Sequence, residues 1–170
     1  IGLLVNDLEG AYQYGHWIGL DAMAKELGCN LISFNGGDLR SKVTEKRMRN
    51  ASYKLATPES LDALIIMSTV VANTITMEDT IEFVKSFGSL PVVSAGLEIP
   101  GIPTVIVDNV SGMDALVEHV VGFHGRKRPA FLGGFPMNPD AIERHATFLK
   151  VLERHGIAVD PRLDLVANFQ

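Results

Sequence analysis

LDALIIMSTVVANTITMEDTIEFVKSFGSLPVVSA, residues 61–95, is the stretch that decides the fold. The nearly unbroken apolar run from Asp62 to Met67 is what a central strand buried on both faces requires. Ser68 to Asn73 reads as a polar loop. Thr76 with Asp79 forms a capping pair, after which Ile81, Val84 and Phe87 recur at helical spacing until Gly88 stops the helix. Pro91 to Ser94 is the next strand. Strand, helix and strand in that order make a parallel βαβ unit.

The same alternation extends outward in both directions. Upstream, Gly2 to Val5 reads as a strand, and Trp17, Leu20, Ala24 and Leu27 as a helix stripe closed by Gly28. Asn30 to Phe34 is a second strand. The turn Asn35-Gly36-Gly37-Asp38 follows it, with glycine's freedom at positive φ as the reason for the pair. A polar helix from about Val43 to Ala56, with the thin stripe Met48, Ala51 and Leu55, belongs at an edge. Downstream, Thr104 to Val107 follows strand four too closely for a crossover helix. Ser111 is the expected cap of a helix with Leu116, Val120 and Phe123 inside, and Pro129 to Leu132 is a strand. Asn138 and Pro139 suit the N-cap and first position of a helix bearing Ile142, His145, Phe148, Leu149 and Leu152. Leu163 to Ala167 starts a further strand. The class is α/β, a parallel sheet flanked by helices.

Composition removes several functions. The chain has 170 residues, 46% hydrophobic and 21% charged, enough to bury a sizeable core. With 20 acidic against 15 basic side chains the net charge is −5, so direct nucleic-acid binding by this segment is not expected. Its apolar runs fall far short of a membrane span. The single cysteine, Cys29, reads as a small buried hydrophobe and fits a reducing compartment. No phosphate-cradling glycine motif, nucleophile elbow or H-E-x-x-H occurs. The five histidines do not fall two to a helical face beside a carboxylate, so neither a metal nor a cofactor is expected. Ile1 already lies in an apolar run, which reads as a cut inside a longer polypeptide.

In open parallel sheets, ligands bind beyond the carboxyl ends of the strands. Those ends carry Asn6-Asp7, Ser68-Thr69, Ala95-Gly96 and Asp108-Asn109, which could line one cleft. The competing reading is that Asp and Asn are ordinary residues of loops and helix starts, and that Arg144 is a solvated arginine.

Residues 107–157, VDNVSGMDALVEHVVGFHGRKRPAFLGGFPMNPDAIERHATFLKVLERHGI, combine a strand-ending VDN, a helix with a histidine near its end and a basic HGRKR turn. A strand ending in GG follows, and an arginine four residues before an aromatic. Together these resemble the LacI-type sensor domain, a type I periplasmic-binding-protein-like fold with flavodoxin- or Rossmann-like lobes. The opening, residues 1–34, looks like the first βα unit of that fold. The resemblance implies an N-terminal lobe over residues 1–125 and an incomplete second lobe over 126–170, since a whole domain of this type needs on the order of 270 residues. It also implies a small-molecule effector, sugar- or nucleoside-like, held between the lobes by Asn6, Asp7, Tyr12, Ser68, Thr69, Asp108 and Arg144. Arg144 matches the arginine of an A-x-x-R-x-x-G-F pattern in which Thr147 replaces the usual glycine, and His124-Gly125 inverts the usual order.

In detail the sequence is most similar to versions placed ahead of signalling modules, such as histidine kinases or diguanylate cyclases. The implied protein is a cytoplasmic, non-enzymatic sensor with a covalently attached output domain. An incomplete lobe would leave Phe131, Phe148 and Leu149 short of partners and favour a homodimer or larger. Two alternatives stand beside it: the effector domain of a LacI-type repressor, and an α/β enzyme using Asp7 or Asp108 as acid or base.

Overall fold

A computed structural model of the chain describes residues 1–134, 136 and 138–167. The apolar run around Leu64 forms the middle strand of a five-stranded, wholly parallel sheet. β3 (Leu64–Ile66) pairs with β1 (Gly2–Val5) on one side and β4 (Val92–Ala95) on the other. β2 (Ile32–Asn35) and β5 (Thr104–Val105) form the edges, giving the order β2-β1-β3-β4-β5. Because side chains alternate along a strand, the sheet carries two cores. Leu4, Leu64 and Ile66 pack with Phe34, Tyr53, Val84, Phe87 and Leu90, whereas Leu3, Val5 and Met67 face Trp17 and Leu20.

Trp17 and Leu20 belong to α1 (Ala11–Glu26), which ends where Gly28 turns left-handed at φ 67°. On the opposite face lies α4 (Met77–Lys85), capped as expected by the Thr76 hydroxyl, which accepts from the Asp79 N–H at 3.2 Å. Between β3 and α4 the expected loop contains a one-turn helix, α3 (Ser68–Val71). Val71, fully buried, draws that segment onto the sheet.

The polar helix after β2 divides into α2 (Thr44–Arg49) and a 3-10 turn over Asn50–Leu55. The tighter turn shifts the phase of its stripe: Met48 and Leu55 are exposed, and Tyr53 is the buried residue. Gly36 and Gly37 are required for room and not for positive φ. A Cβ on Gly36 would lie 2.3 Å from the Tyr53 ring, and one on Gly37 would lie 2.4 Å from the Lys46 carbonyl oxygen. Cys29, expected inside, is exposed.

Packing divides the chain into Ile1–Ile106 and Val107–Gln170, earlier than the lobe boundary at 125–126 implied by the resemblance. The reason lies in α5 (Asn109–Glu118), whose Val117 shares a core with Phe148, Val151 and Leu152 of α6 (Pro139–Arg154). The cap of α5 is Asp108, three residues before the expected Ser111, and its carboxylate accepts the Ser111 N–H at 2.9 Å. The inward stripe runs through Val117 and Val121, which pack against α6, while Leu116 and Phe123 are exposed. Asn138 caps α6 with Pro139 at its start, as the sequence predicts. Ile142, expected inside, is exposed, and Ala141 and Val151 are buried on α6.

β6 (Phe131–Gly133) and β7 (Asp164–Val166) form a parallel pair, so the run from Leu163 does start a strand. Phe131 and Leu149 pack against the core that holds Phe148 and are not short of partners. The exposed apolar side chains of this small sheet are Leu132, Leu165 and Val166.

Candidate functional site

At the carboxyl end of β1 the chain must leave the sheet, and the first polar residues there organise the loops around them. Asn6, nearly buried, donates from Nδ2 to Asp38 Oδ1 at 3.1 Å and accepts at Oδ1 from Gln13 Nε2, also at 3.1 Å. Asp38 in turn faces Lys46 Nζ at 3.8 Å. Asp7 folds its carboxylate onto its own loop, accepting the Glu9 and Gly10 N–H groups at 3.2 and 3.3 Å. Tyr12, in the first turn of α1, is exposed and packs on the His16 ring at 4.3 Å. Gln13 and Asp38 escape sequence reading, because Gln13 lies in a helix and Asp38 in an ordinary turn. The start of α1 brings Gln13 to Asn6, and the parallel pairing of β1 with β2 brings Asp38.

The ends of β3 and β4 make a second group on the same edge of the sheet. Ser68 is fully buried, and its hydroxyl lies 2.6 Å from that of Ser94, accepts the Leu97 N–H at 3.0 Å and donates to the Ala95 carbonyl at 3.0 Å. All of its capacity is therefore spent inside the protein, which makes Ser68 a shaper of the strand ends. Thr69 differs: its Oγ1 is buried and has no hydrogen-bond partner among the described residues. Gly96, at φ 98°, lies against it so closely that a Cβ would fall 2.5 Å from that oxygen.

Ser68→Ala is expected to lower the stability of the first unit by about 1–3 kcal/mol, since the Leu97 N–H would be buried without an acceptor. Urea unfolding measures this directly; a midpoint equal to that of wild type would show that the Ser68–Ser94 pair is dispensable.

In the second unit, Asp108 is committed to the start of α5. The Ser111 backbone and side-chain hydrogen bonds hold its carboxyl below the ordinary aspartate range. A group so stabilised as a carboxylate is poorly suited to general-acid work. Its neighbour Asn109, which the sequence places at the same strand end without showing its partners, is the organising residue. Nearly buried, it accepts from Arg144 Nε at 2.6 Å and donates to Asp140 Oδ1 at 2.9 Å. The half-buried Arg144 is thus fixed through Nε, and its two terminal nitrogens have no hydrogen-bond partner among the described residues. Thr147, where the resemblance leads one to expect glycine, is absorbed by a bond from its hydroxyl to the Glu143 carbonyl at 2.8 Å.

The structure thus gathers Asn6 and Asp7 with Gln13 and Asp38, and sets Ser68 and Thr69 beside Ser94 and Gly96. In the second unit, Asn109 lies between Asp108 and Arg144.

No protein-family model matches the sequence, and neither does any curated protein. Solved structures do. The Escherichia coli transcriptional repressor ascG superposes with a TM-score of 0.71 at 24% identity, over 98% of this chain and 57% of that one. A sugar-binding transcriptional regulator of the LacI family from Escherichia coli, complexed with phosphate, gives 0.71 at 22%, over 99% and 58%. A putative ribose operon repressor from Burkholderia thailandensis gives 0.73 at 22%, over 97% and 59%. The chain spans a little under three fifths of the length of these structures. At such identities the likeness establishes architecture: the chain has the type I periplasmic-binding-protein-like fold seen in LacI-family transcriptional regulators.

Proposed function

We propose that the chain is part of a non-enzymatic effector-binding domain that senses a small hydroxylated molecule, a sugar or a nucleoside. Binding shifts the balance between open and closed arrangements of its two units and so regulates a covalently attached output domain. The observation that carries this reading is the state of Arg144. Its guanidinium is aimed through Nε by a buried asparagine while its two terminal nitrogens are left to form the planar fork that grips two hydroxyls or a carboxylate. In the first unit, the Asn6–Gln13–Asp38 cluster supplies the neutral and acidic acceptors that hydroxylated ligands need. Tyr12 adds an exposed aromatic face of the kind on which sugars and bases stack. The names of two structural neighbours, a sugar-binding regulator and a putative ribose operon repressor, point the same way.

The enzyme alternative loses support from both candidate carboxylates, since Asp7 and Asp108 are each occupied with backbone N–H groups. Between a signalling sensor and a repressor, the sequence resemblance favours the sensor and the structural neighbours' names favour the repressor. The residues encoded before Ile1 decide it: a helix-turn-helix there establishes the repressor. In either setting a cytoplasmic protein acting as a homodimer or larger fits the reading.

The test is a thermal-shift panel of pentoses, hexoses, disaccharides and nucleosides on the full-length gene product. At about 100 times Kd, a ligand of the folded state adds about 2.7 kcal/mol and raises Tm by several degrees. A panel with no member shifting Tm at millimolar concentration would overturn the reading.

A further inference from the structure

Past Glu118 the backbone of α5 widens into a π turn over His119–Phe123, closed by the His124 N–H on the His119 carbonyl at 3.0 Å. In an α-helix, residues five apart point about 140° away from each other. A turn closed between residues five apart stacks them instead, and such turns recur at functional sites. Here the turn brings two imidazoles together: His119 Nε2 and His124 Nε2 lie 3.0 Å apart, with ring centroids separated by 4.5 Å and planes crossed at 86°. Phe123 braces both rings, stacked on His119 at 5.2 Å and edge-on to His124 at 5.0 Å. All three side chains are exposed and none belongs to the core of the unit, so packing does not account for the arrangement.

We propose that His119 and His124 form a two-imidazole site for a divalent transition-metal cation, with copper(II) and nickel(II) preferred. A metal–imidazole bond is about 2.0–2.1 Å. Two nitrogens 3.0 Å apart therefore subtend about 94° at a shared ion. That is the angle between adjacent positions of a square-planar or octahedral sphere, and it is narrower than a tetrahedral zinc site asks for. Water completes the sphere at this open surface. The spacing rule that argued against a metal in the sequence assumed α-helical turns, and the π turn removes that assumption. Without an ion, His119 and His124 share a hydrogen bond, one Nε2–H donating to the other Nε2, and a bound cation takes the place of that proton. The remaining histidines have other partners: His16 the Tyr12 carbonyl at 2.8 Å, His145 the Asp164 carboxylate at 2.9 Å and His155 the Glu118 carboxylate at 2.8 Å.

Calorimetric titration of the 170-residue chain with CuCl2, NiCl2 and ZnCl2 tests this. One copper per chain is expected, bound more tightly than nickel or zinc, with two nitrogen ligands in its paramagnetic resonance spectrum. His119→Gln and His124→Gln should each weaken copper binding at least about tenfold and leave one of those nitrogens, since either single variant keeps one ligand. The double variant should lose the site, whereas His16→Gln should bind as wild type does. Because both histidines are exposed, the variants should unfold at the wild-type temperature, which separates loss of ligands from loss of fold. Stoichiometric copper binding that survives in the double variant overturns the proposal, as does a wild-type chain that binds none of the three ions at millimolar concentration.

Discussion

Tyr53→Ala should cost about 3–5 kcal/mol and Tyr53→Phe about 1–2 kcal/mol of the first unit's stability, read from urea unfolding. Tyr53 is only 2% exposed, and its ring packs edge-on to Phe83 at 5.9 Å. Its hydroxyl lies 3.1 Å from the Val5 carbonyl and 3.0 Å from that of Gly37, so it ties the last residue of β1 to the turn after β2. Those two points bracket Asn6 and Asp38. Loss of the hydroxyl therefore loosens the candidate site as well as the core, and Tyr53→Phe should weaken effector binding although residue 53 itself lies in the core.

A pH dependence follows from the same group. Burial, reinforced by the Asp38 carboxylate, raises the phenol's pKa above its ordinary 10.0. The folded state thus keeps this proton where the unfolded chain gives it up. The contribution is complete below about pH 10 and falls as pH climbs further, because only the unfolded state gains by ionising there. Wild type should lose stability between pH 9.5 and 11 more steeply than Tyr53→Phe, and parallel curves would contradict the role given to the phenol.

Arg144→Ala should weaken binding of the effector found in the ligand panel by about 100-fold or more. Two charge-assisted hydrogen bonds from the guanidinium contribute about 1.5–3 kcal/mol each, and every 1.4 kcal/mol is a factor of ten in Kd. Arg144→Lys should recover little, since a lysine keeps the charge but not the fork. Asn109→Ala should show a smaller loss of the same kind, because Asn109 aims Arg144 through Nε while touching no ligand itself. Calorimetry on the three variants distinguishes these cases. An unchanged Kd in Arg144→Ala would remove Arg144 from the site.

The sheet was legible because burial of a parallel strand leaves a mark on consecutive residues. Leu64, Ile65 and Ile66 cannot be read as anything solvated, and Thr76, Asn138 and Gly28 announce helix ends through chemistry local to each residue. What escaped the sequence depends on contacts between distant segments or on a change of helical pitch. Met48 and Leu55 look like an inward stripe until the 3-10 turn rotates Tyr53 into their place. Leu116, Val120 and Phe123 read as an inward stripe, but the contact of α5 with α6 buries Val117 and, past the change of pitch at 119–123, Val121, leaving Leu116 and Phe123 exposed.

The candidate site followed the same division. Asn6, Asp7, Ser68, Thr69, Asp108 and Arg144 could be named because they sit where strands end or match a known pattern. Gln13, Asp38 and Asn109 could not be named as their partners. Asn6 meets Gln13 through the return of α1 and Asp38 through the pairing of β1 with β2, and Asn109 meets Arg144 across thirty-five residues.

The order of the strands also sets the history of the chain. β1, made before the other four strands of its sheet, joins β2 to the rest, and Gly2 waits for Ile32 on one side and Leu64 on the other. Until residues 64–66 have been made, its apolar side chains have no complete shelter, so the nascent chain carries an adhesive segment that closes only when the third strand arrives. Dependence runs one way: a chain deprived of β5 loses an edge, whereas a chain deprived of β1 loses the strand that joins β2 to the rest.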